Sequence, residues 1–296
     1  MANLKEIRVR IASVKSTKQI TSAMKMVSAS KLRKAQNSIL SLRPYAKRLQ
    51  DMLDILKRRK IDDQKSPYNE VRPVENKLLI VFTANKGLCG PYNSFVLKRA
   101  LKYIQESDKK SRIKLFIIGK KAYDFFKKRD VDIYETNVDL FTDNIYSNSL
   151  KLSERLMSLF VEGEFDKIDM IFNRFKNAAV QEVVCEQFLP LNNVNKKTAS
   201  PESVISQAQI DDIIMEPTDK EVLNELIPKT IKTIFYRTVL DSYASEQGAR
   251  MTAMHKATDN AAEVLKELSI TYNKARQATI TREIVEIVSG AEALNQ

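Results

Sequence analysis

LKEIRVRIASVKSTKQITSAMKMVSASKLRKAQNSILSLRPYAKRLQDMLDIL, residues 4–56, carries a heptad register that can be counted. Leu4, Ile7, Ile11 and Val14 are spaced by 3, 4 and 3 residues, and the same phase returns four heptads on as Leu32, Ala35, Ile39, Leu42, Ala46, Leu49, Leu53 and Leu56. That alternation is the seam of a coiled coil. Between the two blocks the phase falls on Lys18, Thr21, Lys25 and Ser28, and the apolar side chains move to Ile20, Met24 and Val27. A different partner surface is expected along that stretch. Residues 1–60 contain one proline, Pro44, and no glycine, so one long helix is predicted.

The other end of the chain is equally poor in breakers. Residues 218–296 contain only Pro228, Gly248 and Gly290. At about 1.5 Å per residue, a helix from Thr218 to Gly290 would reach on the order of 110 Å, several times the radius of a compact domain. Such a helix needs a partner along its length, and the natural one is the other terminal helix. Met254, Ala257, Ala261, Val264, Leu268, Thr271 and Ala275 supply a 3–4 alternation rich in small residues, which permits close helix approach. Ile280, Ile284, Val285, Ile287 and Val288 make the last turns apolar on more than one face, and a second polypeptide is expected to cover them.

Residues 61–217 read differently. Asp62 to Pro73 is a polar linker, after which KLLIVFT (77–83) and RIKLFIIG (112–119) look like buried strands, each followed by a helical pattern, Ser94 to Glu106 and Lys121 to Arg129. A short strand near Val131–Tyr134, a helix near Asn144–Val161, and strands at DMIFNRF (169–175) and VVCEQFLPL (183–191) continue the alternation, and Asn192 to Gln209 is a polar, irregular loop. Alternation of this kind predicts a mostly parallel sheet between helices. The expected fold class is therefore α/β: a coiled coil of the terminal helices, residues 1–60 and 218–296, with a Rossmann-like α/β domain, residues 61–217, inserted between them.

Composition narrows the function classes. No apolar stretch approaches the roughly 20 residues that span a bilayer, and MANLKEIRVRIASVK is too charged for a signal peptide. A cytoplasmic chain is expected. Cys89 and Cys185 are the two cysteines and lie far apart in sequence, which suits reduced thiols. Residues 1–60 hold 16 Lys and Arg against Glu6, Asp51 and Asp54, while the rest of the chain sums to −1 of the total +12. Such a basic helix suits nucleic acid, anionic lipid or an acidic protein surface, or is simply a solvated face. His255 is the one histidine, so no His-dependent triad or metal cluster can form; on a helix beside Lys256 it is most simply a surface residue. Gly119-Lys120-Lys121 lacks the upstream glycine of a phosphate-binding loop, and Gly87-Leu88-Cys89-Gly90 reads as turn geometry. No catalytic residue, cofactor or metal ligand is nominated.

Three segments resemble the γ subunit of F-type ATP synthases: IRVRIASVKSTKQITSAMKMVSASKLRKAQ (7–36), NKGLCGPYN (85–93), and ASEQGARMTAMHKATDNA (244–261) with YNKARQATITREIVEIVSGAEAL (272–294). The resemblance covers both ends and the middle loop in order. It implies an antiparallel coiled coil inside a ring of alternating α and β subunits, one γ per three αβ pairs, with the central domain beside the ε subunit and the c-ring. It implies a rotor without catalytic residues of its own, the catalytic sites being on β, which couples proton-driven rotation to ATP synthesis. Met24, Lys25, Lys31, Arg33 and Lys34 then lie where the basic helix passes the β subunits, Arg276 and Gln277 match positions that contact a β-subunit loop, and the Ile280–Val288 end turns in an apolar sleeve. A seam role for Met24, a solvated face for Lys31, Arg33 and Lys34, and close helix packing for Gly248 stand beside these readings. Gly87, Cys89 and Gly90 match the family loop, whereas Asn85-Lys86 and Pro91-Tyr92 depart from its Asp-Arg and Gly-Phe. Lysine offers only a point charge where arginine binds bidentately. With no presequence before the first motif and no chloroplast-type insertion, a bacterial complex is expected, peripheral on the cytoplasmic face of the plasma (inner) membrane and held there through the c-ring.

Two other readings compete. A basic coiled coil that binds nucleic acid would bind with steep salt dependence and interleave aromatics with its basic residues, yet residues 1–44 contain no Phe, Tyr or Trp. An α/β enzyme with helical arms lacks candidate catalytic groups.

Overall fold

The computed structural model describes residues 4–58, 66–107, 111–142, 144–178, 180–191 and 216–294. The expected loop Asn192–Gln209 and the start of the linker, 62–65, lie outside the described residues. The elements run α1 (Leu4–Arg58), β1 (Asn76–Phe82), α2 (Tyr92–Glu106), β2 (Arg112–Ile118), α3 (Lys120–Phe126), β3 (Ile133–Asn137), α4 (Ile145–Val161), β4 (Lys167–Phe175), β5 (Gln181–Leu189) and α5 (Asp219–Leu294). Helix α1 is 55 residues long and α5 is 76, each passing through its proline, Pro44 or Pro228, without ending. Two compact units result, one of residues 30–249 and one of residues 1–29 with 250–296.

In the unit 30–249 the strand order is β3-β2-β1-β4-β5. β1 pairs in parallel with both β2 and β4, β2 in parallel with β3, and β5 closes the edge antiparallel to β4. Central position explains the apolar run in β1. Leu78 to Phe82 are fully buried because both faces of the strand are covered, as parallel sheets require. Side-chain alternation divides that run between two cores. Leu79 and Val81 meet Val96, Leu97 and Ala100 of α2 and Ala122 and Phe126 of α3. Leu78, Ile80 and Phe82 meet Leu156 and Phe160 of α4, Leu53 and Leu56 of α1, and Ile231 and Phe235 of α5. The seam of α1 thus ends by packing into the core on one face of the sheet. Phe82, Phe172, Phe188 and Phe235 interlock edge-on or tilted, with centroids 5.5–6.3 Å apart.

Side-chain caps start α4 and α5. Asn144 caps α4 by accepting from Ser147 N–H at 3.2 Å, and Thr218 does the same for Glu221 N–H at 3.3 Å ahead of α5. Strand β3 begins at Ile133, two residues after the expected start at Val131.

In the other unit the seam of α1 keeps one phase throughout. Ile7, Thr21 and Ser28 are buried and Leu4, Ile11, Val14, Lys18 and Lys25 are half-buried. The expected change of partner surface over Lys18–Ser28 does not occur within the chain: small polar side chains continue the seam, and Ile20 and Val27 point outward, 57% and 56% exposed. The Thr258 hydroxyl donates to Thr21 Oγ1 across this seam at 2.8 Å. Because the unit joins the residues before Thr21 to those after Thr258, the helices run in opposite directions.

The register of α5 is a correction. Met254 and Ala261 are buried, and Thr258, Leu265, Leu268, Tyr272, Ala275 and Thr279 are half-buried, whereas Val264 and Thr271 of the expected seam are exposed. Met254, Ala261, Leu268 and Ala275 complete a 3–4 alternation with either set of intervening residues. The set that includes Leu265 and Tyr272 wins because it removes more apolar area from water than Val264 and Thr271 would.

Candidate interaction surfaces

Counting one residue for one in opposite directions from the Thr21–Thr258 bond places Val14 opposite Leu265, Ile11 opposite Leu268, Ile7 opposite Tyr272 and Leu4 opposite Ala275. Every such level joins two seam positions. The described part of α1 begins there, at Leu4, and the turns of α5 that follow lie beyond the last level that joins described residues of the two helices. Residues 280–291 are all exposed. Ile280, Ile284, Val285, Ile287 and Val288 present 45–71% of their surface. The nine residues 280–288 extend about 14 Å, and the large apolar side chains left bare along them mark an interaction site. Arg276 and Gln277 are exposed just before this stretch, between the half-buried seam positions Ala275 and Thr279.

The basic candidates divide between the two units. Met24 and Lys25 are half-buried in the two-helix unit: Lys25 occupies a seam position and Met24 lies beside it. Lys31, Arg33 and Lys34, in the unit 30–249, are exposed around the buried seam residues Leu32 and Ala35. His255 is exposed and pairs with Asp259 at 3.1 Å, as a surface residue does.

The loop 85–93 is built inward. Ala84 N–H donates to Asn93 Oδ1 at 2.9 Å, Asn93 Nδ2 donates to Cys89 Sγ at 3.2 Å, and Asn85 bridges to Val138 O at 2.6 Å and Lys120 N–H at 3.0 Å. Cys89 is 1% exposed and packs with Ala84, Tyr92 and Ala249. Gly90 has φ +57, a conformation that costs glycine nothing, while Leu88 holds φ +62 with its side chain out in solvent. A Cβ on Gly87 would meet only Lys121 Cε at 3.8 Å.

The strand order also locates where a sheet of this kind would bind a nucleotide, in the crevice beyond the carboxyl ends of β1 and β4, where the connections reverse direction. Helix α5 fills it. Tyr92, beyond β1, is buried with its hydroxyl 3.1 Å from Ser242 O and 2.8 Å from Ser242 Oγ, and burial holds its phenol well above the usual range. Ser245 Oγ donates to Asn173 O on β4 at 3.0 Å. The loop motif alone does not show the partner of Tyr92, which lies on α5 150 residues away; the signal within the loop is a tyrosine hydroxyl that needs a bond once buried.

Asp241, one turn before Ala244, is 8% exposed. Burial pushes its carboxyl up to about 6, Glu186 adds to the rise, and Arg237, Arg174 and Arg43 oppose it. The folded value lies above that of an unfolded chain, about 3.9. Stability from this group is therefore greatest below about pH 4 and falls as pH rises through about 6, by on the order of 3 kcal/mol. Asp241→Asn is expected to be more stable than the parent by about 1–3 kcal/mol at pH 7.5, with the difference shrinking toward zero at pH 4. Urea titrations of both proteins at the two pH values check the sign.

Comparison with known proteins agrees over the whole chain. Residues 3–294 match the family described as ATP synthase. The chain is similar to the ATP synthase gamma chain of Christiangramia forsetii, 48% identical over 296 residues covering all of both chains, and to that of Flavobacterium johnsoniae, 48% identical over 295 residues with the same full coverage. The gamma chain of Chloroherpeton thalassium is 43% identical, covering 100% of this chain and 99% of that one. Among solved structures, the fold resembles a chain of the Euglena gracilis mitochondrial ATP synthase, OSCP/F1/c-ring, with TM-score 0.63 and 18% identity over 98% of this chain and 94% of that one. A chain from the central stalk/c-ring structure of the Tetrahymena thermophila mitochondrial ATP synthase gives TM-score 0.57 at 22% identity, covering 80% of this chain and 99% of that one.

Proposed function

This chain belongs to the ATP synthase γ-chain family, and on that premise we propose that it is the central-stalk rotor of an F-type ATP synthase. One copy sits in a hexamer of three α and three β subunits, with ε and the c-ring as its further partners. It carries no catalytic site, catalysis being the work of the β subunits. No helix among the described residues is long and apolar enough to cross a membrane, and attachment to the cytoplasmic face of the inner membrane runs through the c-ring.

The observation that carries this reading is the bare apolar end of α5. Five large aliphatic side chains beyond the paired part of the helix need a sleeve, and apolar contacts in a sleeve have no preferred direction to resist turning. Arg276, at the start of that end, can make charge-assisted bonds to a β-subunit carboxylate that form and break as the shaft turns. Lys25, Lys31, Arg33 and Lys34 attract the acidic lobes of β without locking them, since exposed ion pairs are each worth about 0–1 kcal/mol. Met24 packs beside the same passage. Gly87, Cys89 and Gly90 shape the loop that presents Lys86 and Leu88. Neither fold nor relatives support the nucleic-acid reading.

Co-expression with α and β subunits tests this directly. A complex with ATPase activity and one copy of this chain per three αβ pairs is expected, and failure to associate would overturn the reading. In that complex Arg276→Ala is expected to lower the rate of coupled ATP synthesis by about tenfold, the loss of roughly one charge-assisted bond; an unchanged rate would remove Arg276 from the contact.

A further inference from the structure

Helix α5 is held to the sheet in two ways within the unit 30–249. From Leu223 to Val239 it packs through apolar side chains such as Ile227, Ile231 and Phe235. These contacts oppose separation, and their resistance to rolling is spread over many individually weak, interdigitated contacts. From Ser242 onward directional ties take over. The Tyr92 hydroxyl bonds Ser242 O and Oγ at 3.1 and 2.8 Å, Ser245 Oγ donates to Asn173 O at 3.0 Å, and Asn173 Nδ2 donates to Tyr92 O at 3.5 Å. These bonds close a circuit from the first residue of α2 to α5, on to β4, and back.

Tyr92, Asn173, Ser242 and Ser245 are each at most 2% exposed. Breaking any of these ties leaves a polar group dry and unpaired, so the circuit is stiff. Gly248 completes it: a Cβ there would lie 3.2 Å from Ala178 O and 3.3 Å from Ala178 Cα, so helix and hairpin backbone nearly touch.

Resting on the rotor reading, we propose that this circuit is the torsional clasp through which the α/β unit turns α5. Tyr92, Asn173 and Ser245 are positioning residues: they act by preventing the helix from rolling against the ends of β1 and β4. The clasp occupies the crevice in which a sheet of this order would otherwise seat a ligand, so a binding site has become a mechanical joint.

The test is the torsional stiffness of the assembled complex with α and β, read from the angular fluctuation of a bead fixed to the α/β unit while catalysis is arrested. Y92F/S245A removes two of the three tied positions, and stiffness is expected to fall by roughly half while each lost bond lowers Tm by about 2–4 °C. If the double variant does not fold, Y92F alone, which removes a single oxygen, is expected to soften the joint to a smaller degree. Ile117→Val, a comparable stability loss in the core on the opposite face of the sheet, is expected to leave stiffness unchanged. Parental stiffness in both Y92F variants, or equal softening in Ile117→Val, would overturn the clasp. A parental complex that hydrolyses ATP without rotating would instead overturn the rotor reading, and the clasp with it.

Discussion

Gly119→Ala is expected to unfold the α/β unit near physiological temperature. Gly119 ends β2 at φ +97, a backbone conformation that L side chains rarely adopt. A Cβ there would lie 2.1 Å from Thr83 O and 2.7 Å from Thr83 C, far inside contact distance, and both atoms are backbone. Thr83 cannot yield. Its N–H donates to Ile118 O at 2.8 Å, its hydroxyl donates to the same oxygen at 3.1 Å, and Ala122 N–H donates to that hydroxyl at 3.0 Å. Relief would require β1 and β2 to part at the centre of the sheet. We expect a loss of more than about 4 kcal/mol, at the exceptional end of single substitutions, and a fall in Tm of about 10 °C or more. Calorimetry of the purified chain measures it, and a shift below about 2 °C would show that the strand ends can move apart. Gly87→Ala, whose new methyl group would find only Lys121 Cε at 3.8 Å, and Gly290→Ala, with nothing within 4 Å, are the contrasting cases. The second should gain a few tenths of a kcal/mol, because alanine is the better helix former.

The second large effect falls on assembly and spares the fold. Ile284, Val285 and Val288 are 55–57% exposed and contribute to neither core of the α/β unit. Replacing all three with glutamine keeps a good helix former at each position, so the Tm of the isolated chain should stay within about 2 °C. If these side chains enter an apolar sleeve, each substitution forfeits about 1 kcal/mol of burial. Together they should weaken association with the α and β subunits by about 100-fold. Pull-down of the complex across a range of subunit concentrations reads the loss. Unchanged association would show that the sleeve does not exist, whereas a large fall in Tm would show that the end is packed within the chain.

Much of this molecule could be read from the residues in order. The seam of α1 was countable because a heptad is a local property and each seam residue declares its own phase. The strands were visible because β1, buried on both faces, must be apolar at consecutive positions. In α5 the reading slipped by one residue at Val264 and Thr271, since Leu265 and Tyr272 complete the same alternation and only the facing helix chooses between them. Lys18, Thr21, Lys25 and Ser28 looked like an interruption of the α1 seam. They are its continuation, because Thr258 supplies a hydroxyl that makes a polar seam position acceptable.

The sequence by itself determined where the helices and strands lie, which face of each is apolar, and how charge is distributed, all of which follow from neighbours within a turn or a pleat. Only the tertiary structure decided that Ile280–Val288 stand bare on α5, that α5 closes the crevice of the sheet, and that Tyr92 reaches a serine 150 residues away. Each of these depends on how two distant segments are aligned. Alignment is set by the sum of packing over their whole length, a quantity that no single stretch of residues contains.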